Sequence, residues 1–329
     1  MNESTTSSTT AMEEPHWVSR SAYHVVSAFF LFSEIALAYA LYQGAPIWAV
    51  VLLVLLISHL MHGSLVGFHE ASHGMLQRNR RFNEVNGVFL GILSFMSFSL
   101  YRAAHQTHHA NLGTERDEEL WPFVRVGTPR WGRVLAAFLE LTAGLLFTPF
   151  LFQRAFLRSG SPIRQKKVRR RIWAEIIATV IVWSLVLAAV FYFQLGRYFL
   201  WMYLVPAIIA ANLQSWRKYI EHVGLAGNTV NSSTRSIVAE GWVGRLVSFS
   251  LLHEPYHGVH HKRAGLTHAE LPQYAIDLEP AADRERPPFP SYSHALVDLV
   301  RNLADPRVGA QWHTADEPAD WHPADAVRS

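Results

Sequence analysis

Four long apolar runs constrain this chain before any other feature does: residues 23–42, 47–67, 172–193 and 198–213 are mostly uncharged and about as long as a bilayer core requires of a helix. A length of 329 residues fits two soluble domains as well as one membrane protein, so the runs decide between them. The expected fold is all-α, a polytopic membrane protein with four transmembrane helices, interfacial helices between them and a histidine-rich cytoplasmic cap. Glu34 and Glu175 lie inside or at the edge of these runs, where each is expected to face the bundle or the interface.

The first two runs are joined by Gln43-Gly44-Ala45-Pro46 and the last two by Gln194-Leu195-Gly196-Arg197, links short enough to make each pair antiparallel neighbours. The stretch 85–100 is interrupted by Gly87, Gly91 and serines, and is expected to be re-entrant or interfacial. The stretch 134–152 is expected not to cross either. Arg154, Arg158, Arg164, Lys166, Lys167, Arg169, Arg170 and Arg171 form a basic cluster that the positive-inside rule assigns to the cytoplasm. Because the cluster abuts an apolar helix, it reads as an orientation signal and lipid-headgroup contact, and no nucleic-acid partner is expected. Residues 1–20 read as a disordered tail without the basic region of a signal peptide, 21–279 as the membrane domain, and 280–329 as a loosely ordered tail with one helix near 293–303.

Histidines concentrate at the ends of the apolar runs. His105, His108 and His109 stand at i, i+3 and i+4, and His257, His260 and His261 repeat that spacing, so each trio leaves one face of a helix together. His69 and His73 are one turn apart, and His222 follows Glu221 after the last run. Neutral imidazole is a common ligand for zinc, copper and non-haem iron. Roughly four to six ligands saturate one such ion, so nine converging imidazoles suit two metals. The chain has no cysteine, which rules out disulfides, thiolate zinc sites and thiolate-bound clusters. His59 and His62, inside an apolar helix, are expected to be buried hydrogen-bonding residues, although His62 lies near the face of His69 and is a candidate for a substrate channel.

Two strings also match the zinc-protease pattern H-E-x-x-H: His69-Glu70-Ala71-Ser72-His73 and His253-Glu254-Pro255-Tyr256-His257. In the second, Pro255 belongs in a first helical turn, which puts His253 out of register with His257. A membrane zinc protease using His69, Glu70 and His73 is the alternative from a different class, and it leaves two histidine boxes without a role. A non-enzymatic metal carrier predicts ligands spread along the crossing helices, unlike their concentration at helix ends here.

One HxxxH, two HxxHH and a late Glu-His at the ends of apolar helices resemble the membrane fatty acid desaturase superfamily over residues 23–273. The flanks His69-Glu70-Ala71-Ser72-His73-Gly74 with Arg81-Phe82-Asn83, and Arg217-Lys218-Tyr219-Ile220-Glu221-His222, are similar to its bacterial branch. The resemblance implies two iron ions that activate O2, held by His69, His73, His105, His108, His109, His222, His257, His260 and His261. It further implies a bacterial inner-membrane protein with the boxes cytoplasmic. Lys218 is a departure, since some members carry there an Asn that reaches iron through water. Glu70, Asp117, Glu221 and Glu254 are candidates to accept the outer N–H of a ligating imidazole.

The resemblance implies an O2-dependent oxidoreductase acting on a long acyl chain or lipid, with desaturation the expected outcome. Hydroxylation, ketolation and oxidative decarboxylation to a terminal alkene are alternatives on the same fold, and no catalytic residue beyond the metal centre is assigned. Helices two and four, with Phe199, Trp201 and Tyr203 as candidate walls, are expected to line a tunnel from bilayer to metals. A separate ferredoxin- or cytochrome-like donor with its reductase is expected, because neither a His-Pro-Gly-Gly stretch nor a dinucleotide fingerprint occurs.

Overall fold

A computed structural model describes residues 20–282 and 285–312. The N-terminal tail expected at 1–20 lies, save for Arg20, outside the described residues. The elements in chain order are α1 (Ala22–Tyr42), α2 (Ile47–His73), α3 (Arg80–Leu93), α4 (Phe98–Ala110), α5 (Arg130–Leu157), α6 (Lys166–Tyr192), α7 (Gly196–His222, with a π-helical stretch Phe199–Leu204), α8 (Val230–Ser233), α9 (Gly241–Ser250), α10 (His257–Lys262), a 3-10 helix Leu271–Leu278 and α11 (Tyr292–Asn302). Among the described residues there is no strand beyond two isolated bridges, so the fold is all-α as expected.

Helices α1 and α2 form the antiparallel pair that the Gly-Pro link predicts, with Gly44 in the left-handed region at φ +67° and Pro46 capping α2. A Cβ at Gly67 would lie 2.8 Å from the Tyr23 ring, so the two helices meet there at glycine distance. The chain leaves α2 through Gly74, left-handed at φ +82°, just after His73. Asn83 Nδ2 donates to the Ala71 carbonyl at 2.8 Å and ties the α3 segment to that end.

The α3 and α4 helices meet at 101°, a bend consistent with the re-entrant element expected for 85–100. What fixes α4 is Glu175 of α6. Its carboxylate accepts from Ser97 Oγ at 2.7 Å, Ser99 N at 2.8 Å and Ser99 Oγ at 2.7 Å, and from Arg171 Nε at 3.0 Å. A buried anion thus caps the positive end of the helix that carries His105, His108 and His109. Glu175 and Glu34 both face the bundle, as expected; Glu34 lines the internal cavity described below.

Among the described residues five helices are long and apolar enough to cross a membrane, or six if the bent α3–α4 pair counts as one; the four expected are among them. The additional one is α5, which is broken at Ala143 (φ −130°, ψ 36°) and carries Pro149 inside. Both of its ends pair with the segment after the second histidine box: Arg133 with the Thr128 carbonyl, Arg154 and Arg158 with Glu118. Residues 285–312 are packed, against the loose tail expected there. Ala295 and Leu299 of α11 are fully buried, Asp298 accepts from Arg235 Nε at 2.6 Å, and Gly224 N donates to the Arg307 carbonyl at 2.8 Å. The amphipathic face of α11 supplies the apolar surface that pays for ordering this segment. Helix α9 presents Trp242, Val243 and Leu246 as exposed apolar side chains.

Candidate metal centre

The boxes converge at one end of the bundle. α2 delivers His69 and His73 in its last two turns, α4 delivers His105, His108 and His109, α7 ends on His222, and α10 carries His257, His260 and His261. The nine imidazoles divide into two clusters. His69, His73, His105, His109 and His260 form one; His108, His222 and His261 form the other, which His257 joins through His222. The His109 and His261 rings stack at 4.2 Å between centroids where the clusters meet.

In both clusters it is Nε2 that points inward. In the first, His69 lies 2.8 Å and His73 3.0 Å from His105, which is 3.1 Å from His109, itself 3.2 Å from His260. In the second, His257 lies 2.9 Å from His222 and 3.1 Å from His261. The outer nitrogens face acceptors instead. His105 Nδ1 donates to Glu119 at 2.8 Å, His108 Nδ1 to Asp117 at 2.8 Å, His257 Nδ1 to Glu254 at 2.9 Å and His222 Nδ1 to the Ser233 carbonyl at 3.3 Å. With the proton placed at Nδ1, each of these four Nε2 atoms carries a lone pair aimed at other lone pairs, an arrangement that a cation relieves. Two nitrogens bound at right angles to one ion at roughly 2.1 Å lie about 3.0 Å apart, which matches the observed spacing. The residues therefore fit two metal ions. Burial also holds His257 down to about 4, so this imidazole is neutral at pH 7 with its lone pair free.

The four carboxylates expected around the ligands behave differently from one another. Asp117 and Glu254 accept from ligand-cluster imidazoles. Glu221 is held by Arg217 Nη1 at 2.6 Å, and the same Nη1 reaches Glu254 at 3.0 Å. Glu70 lies 3.8 Å from His69 Nδ1, on the side away from the converging Nε2 atoms. That placement disfavours the zinc-protease reading, which needs Glu70 beside a metal-bound water. The second H-E-x-x-H string also fails to form a helical pair, since α10 starts at His257 and His253 is left-handed at φ +54°.

Three participants escaped the sequence reading. Glu119 takes the outer proton of His105, Arg217 joins two buried carboxylates, and Glu140 of α5 pairs with Lys218 and Tyr219. The i,i+4 spacing of Arg217 and Glu221 was a usable signal, whereas Glu119 and Glu140 meet their partners only through the tertiary fold.

A cavity of about 850 Å3 lies in the bundle next to the centre, with none of the nine histidines among its described lining residues. Phe68, Tyr101, Phe152, Lys218 and Glu119 line it near the histidines, and Leu31, Glu34, Met202 and Tyr203 line it farther away. Tyr101 stacks on His105 at 5.3 Å, which places the cavity directly beneath the first cluster. Of the expected walls, Tyr203 faces the cavity, while Trp201 packs with α1 and α2. Among the described lining residues His62 is absent; it sits behind the wall, fully buried against Gln214. His59 is hydrogen-bonded to Ser250 Oγ at 2.7 Å, the structural role expected of it.

Comparison with known proteins agrees with this site. A relative from Helianthus annuus, described as an sn-2 acyl-lipid omega-3 desaturase (ferredoxin), chloroplastic, is 26% identical over 178 residues, covering 47% of this chain and 37% of the relative. The match thus spans little more than a third of that protein's length. The family model for fatty acid desaturases matches residues 13–293, a span that contains every histidine box, the cavity and all five long apolar helices. The chain belongs to the fatty acid desaturase family of membrane proteins.

Proposed function

We propose that this chain is an O2-dependent membrane oxidoreductase that introduces a double bond into a long acyl chain or lipid, using two irons held by His69, His73, His105, His109 and His260 on one side and His108, His222, His257 and His261 on the other. The observation that carries the reading is the pair of adjacent clusters with inward lone pairs, set over a largely apolar cavity of about 850 Å3. When bound, the irons supply the oxidising power that an unactivated C–H bond requires. The protein's own residues do the rest. Asp117, Glu119 and Glu254 hold three imidazoles in the tautomer that leaves Nε2 free. Phe68, Tyr101 and Phe152 keep water from the end of the cavity where a chain would approach.

Reduction of O2 to two waters takes four electrons; forming one C=C bond releases two, so a carrier must deliver the other two. We assign that carrier to the acidic ferredoxin-like class, supported by the ferredoxin in the description of the Helianthus annuus relative and by the surface next to the second box. There the single carboxylate of Glu118 gathers Arg125, Arg154 and Arg158, leaving an excess of positive charge for electrostatic docking. The proposed setting is a bacterial inner membrane, crossed four times, with the histidine cap and the basic cluster cytoplasmic.

The test is lipid analysis of cells expressing wild type or His108→Ala, grown with and without O2. New unsaturated chains that require both O2 and His108 are expected. An unchanged lipid profile in wild-type cells, with donor and reductase co-expressed, would refute the assignment.

A further inference from the structure

The cavity wall near the histidines carries a buried ion pair whose cation is incompletely used. Lys218 is the one lysine or arginine among the described lining residues. It lies one turn before His222, about 6 Å of helix rise, and so stands at the end of the cavity near the histidines. Glu140 of α5 pairs with that ammonium and also accepts from Tyr219 Oη at 3.0 Å and Thr148 Oγ1 at 3.4 Å. Both residues are buried. Three donors therefore satisfy the carboxylate, but among the described residues Glu140 is the only oxygen acceptor for the ammonium, which has three N–H groups; its other neighbour is the Tyr219 ring, 5.7 Å from Nζ to the centroid. Lys218 lines the cavity that a ligand would fill.

An ion pair that merely joined α5 to α7 would gain nothing from lining the cavity, and donors left in an apolar space require an acceptor. We propose that Lys218 receives an oxygen of the substrate, as carboxylate, hydroxyl or carbonyl, so that the cavity selects chains bearing an oxygen function a few bonds from the carbon presented to the histidines. This inference rests on the long-chain reading above and narrows it. Glu140, Tyr219 and Thr148 position the ammonium, and Lys218 alone touches the oxygen. A charge-assisted hydrogen bond of this kind discriminates by about 10- to 100-fold against the chain that lacks the oxygen.

The experiment measures binding and needs neither metal loading nor turnover. Tritiated palmitate, 1-hexadecanol, methyl palmitate and hexadecane are titrated by scintillation proximity against the full chain in nanodiscs. Wild type is expected to bind at least one oxygenated ligand 10- to 100-fold more tightly than hexadecane, and the best of the three identifies the oxygen function. Lys218→Met combined with Glu140→Gln removes both charges together and is expected to bind all four alike, with hexadecane affinity retained. Lys218→Arg is expected to keep the preference. Equal binding of hexadecane and the oxygenated chains by wild type, or a preference surviving in the double variant, would each overturn the proposal while leaving the long-chain reading intact. Failure of all four ligands to bind would overturn the long-chain reading itself, and this inference with it.

Discussion

Replacing Asp117 with Asn changes one atom pair in a fully buried group, and its effect can be worked from the contacts. Oδ2 of Asp117 accepts from His108 Nδ1 at 2.8 Å and from Gly113 N at 3.1 Å, while Oδ1 accepts from Glu119 N at 3.1 Å and Leu120 N at 3.2 Å. An amide keeps only one acceptor. If its NH2 faces Glu119 and Leu120, two buried N–H groups lose their partner, at about 1–3 kcal/mol for an unsatisfied group. If it faces His108, the imidazole must take the Nε2–H tautomer, and the lone pair aimed at the cluster is lost. Loss of an outer partner typically lowers metal affinity 10- to 100-fold, about 1.4–2.7 kcal/mol. The assay is chelator titration of metal-loaded protein, following release of each ion. The metal held with His108, His222, His257 and His261 is expected to leave at a 10- to 100-fold lower chelator concentration, and the other to leave as in wild type. Release of both at wild-type concentrations would show that Asp117 does not orient His108.

Glu175→Ala removes the acceptor of three bonds at the start of α4, while Arg171, half-exposed, keeps Glu84 at 2.6 Å; a loss of about 1–3 kcal/mol in stability from the unpaired buried donors is expected by denaturant titration, with reduced metal content. An unchanged midpoint would mean that the α4 anchor lies elsewhere. Burial pushes His253 and His268 down to about 4 from an ordinary 6.5. The unfolded chain therefore binds more protons between these values, and stability of the metal-free protein should be full above about pH 6.5 and fall toward pH 4, on the order of 3 kcal/mol for the buried His268. Thermal unfolding across that range checks it, and His268→Gln should flatten the slope. Ala45→Cys should be labelled by an impermeant thiol reagent from outside and Arg164→Cys should not; the chain has no native cysteine to interfere. The reverse pattern would invert the proposed orientation.

The boxes were legible because a helix converts i, i+3, i+4 spacing into a common face, and the apolar runs showed where those helices end. The exclusion of His253 followed from the fixed geometry of Pro255 in the same way. The outer partners were only partly legible. Glu254 lies one turn from His257 and Asp117 nine residues from His108, close enough to be suspected, but Glu119 was passed over beside them. Glu140 reaches Lys218 across 78 residues, and no local period encodes such a meeting. The packing of 285–312 was missed for a related reason. Charged and proline-rich composition suggested a tail, yet α11 needs only a narrow apolar stripe, Ala295 and Leu299, to dock on residues around α7. The stretch 134–152 was expected not to cross, yet it belongs to a helix, Arg130–Leu157, that is long and apolar enough to do so.

Metal content per chain tests the central claim most directly, on protein from iron-supplemented cells, comparing wild type with His73→Ala in one cluster and His222→Ala in the other. Because roughly four to six ligands saturate an ion, the nine imidazoles predict about two irons in wild type and a marked loss in each variant. A single zinc per chain, retained in both variants, would contradict the two-metal centre and the oxidative chemistry built on it.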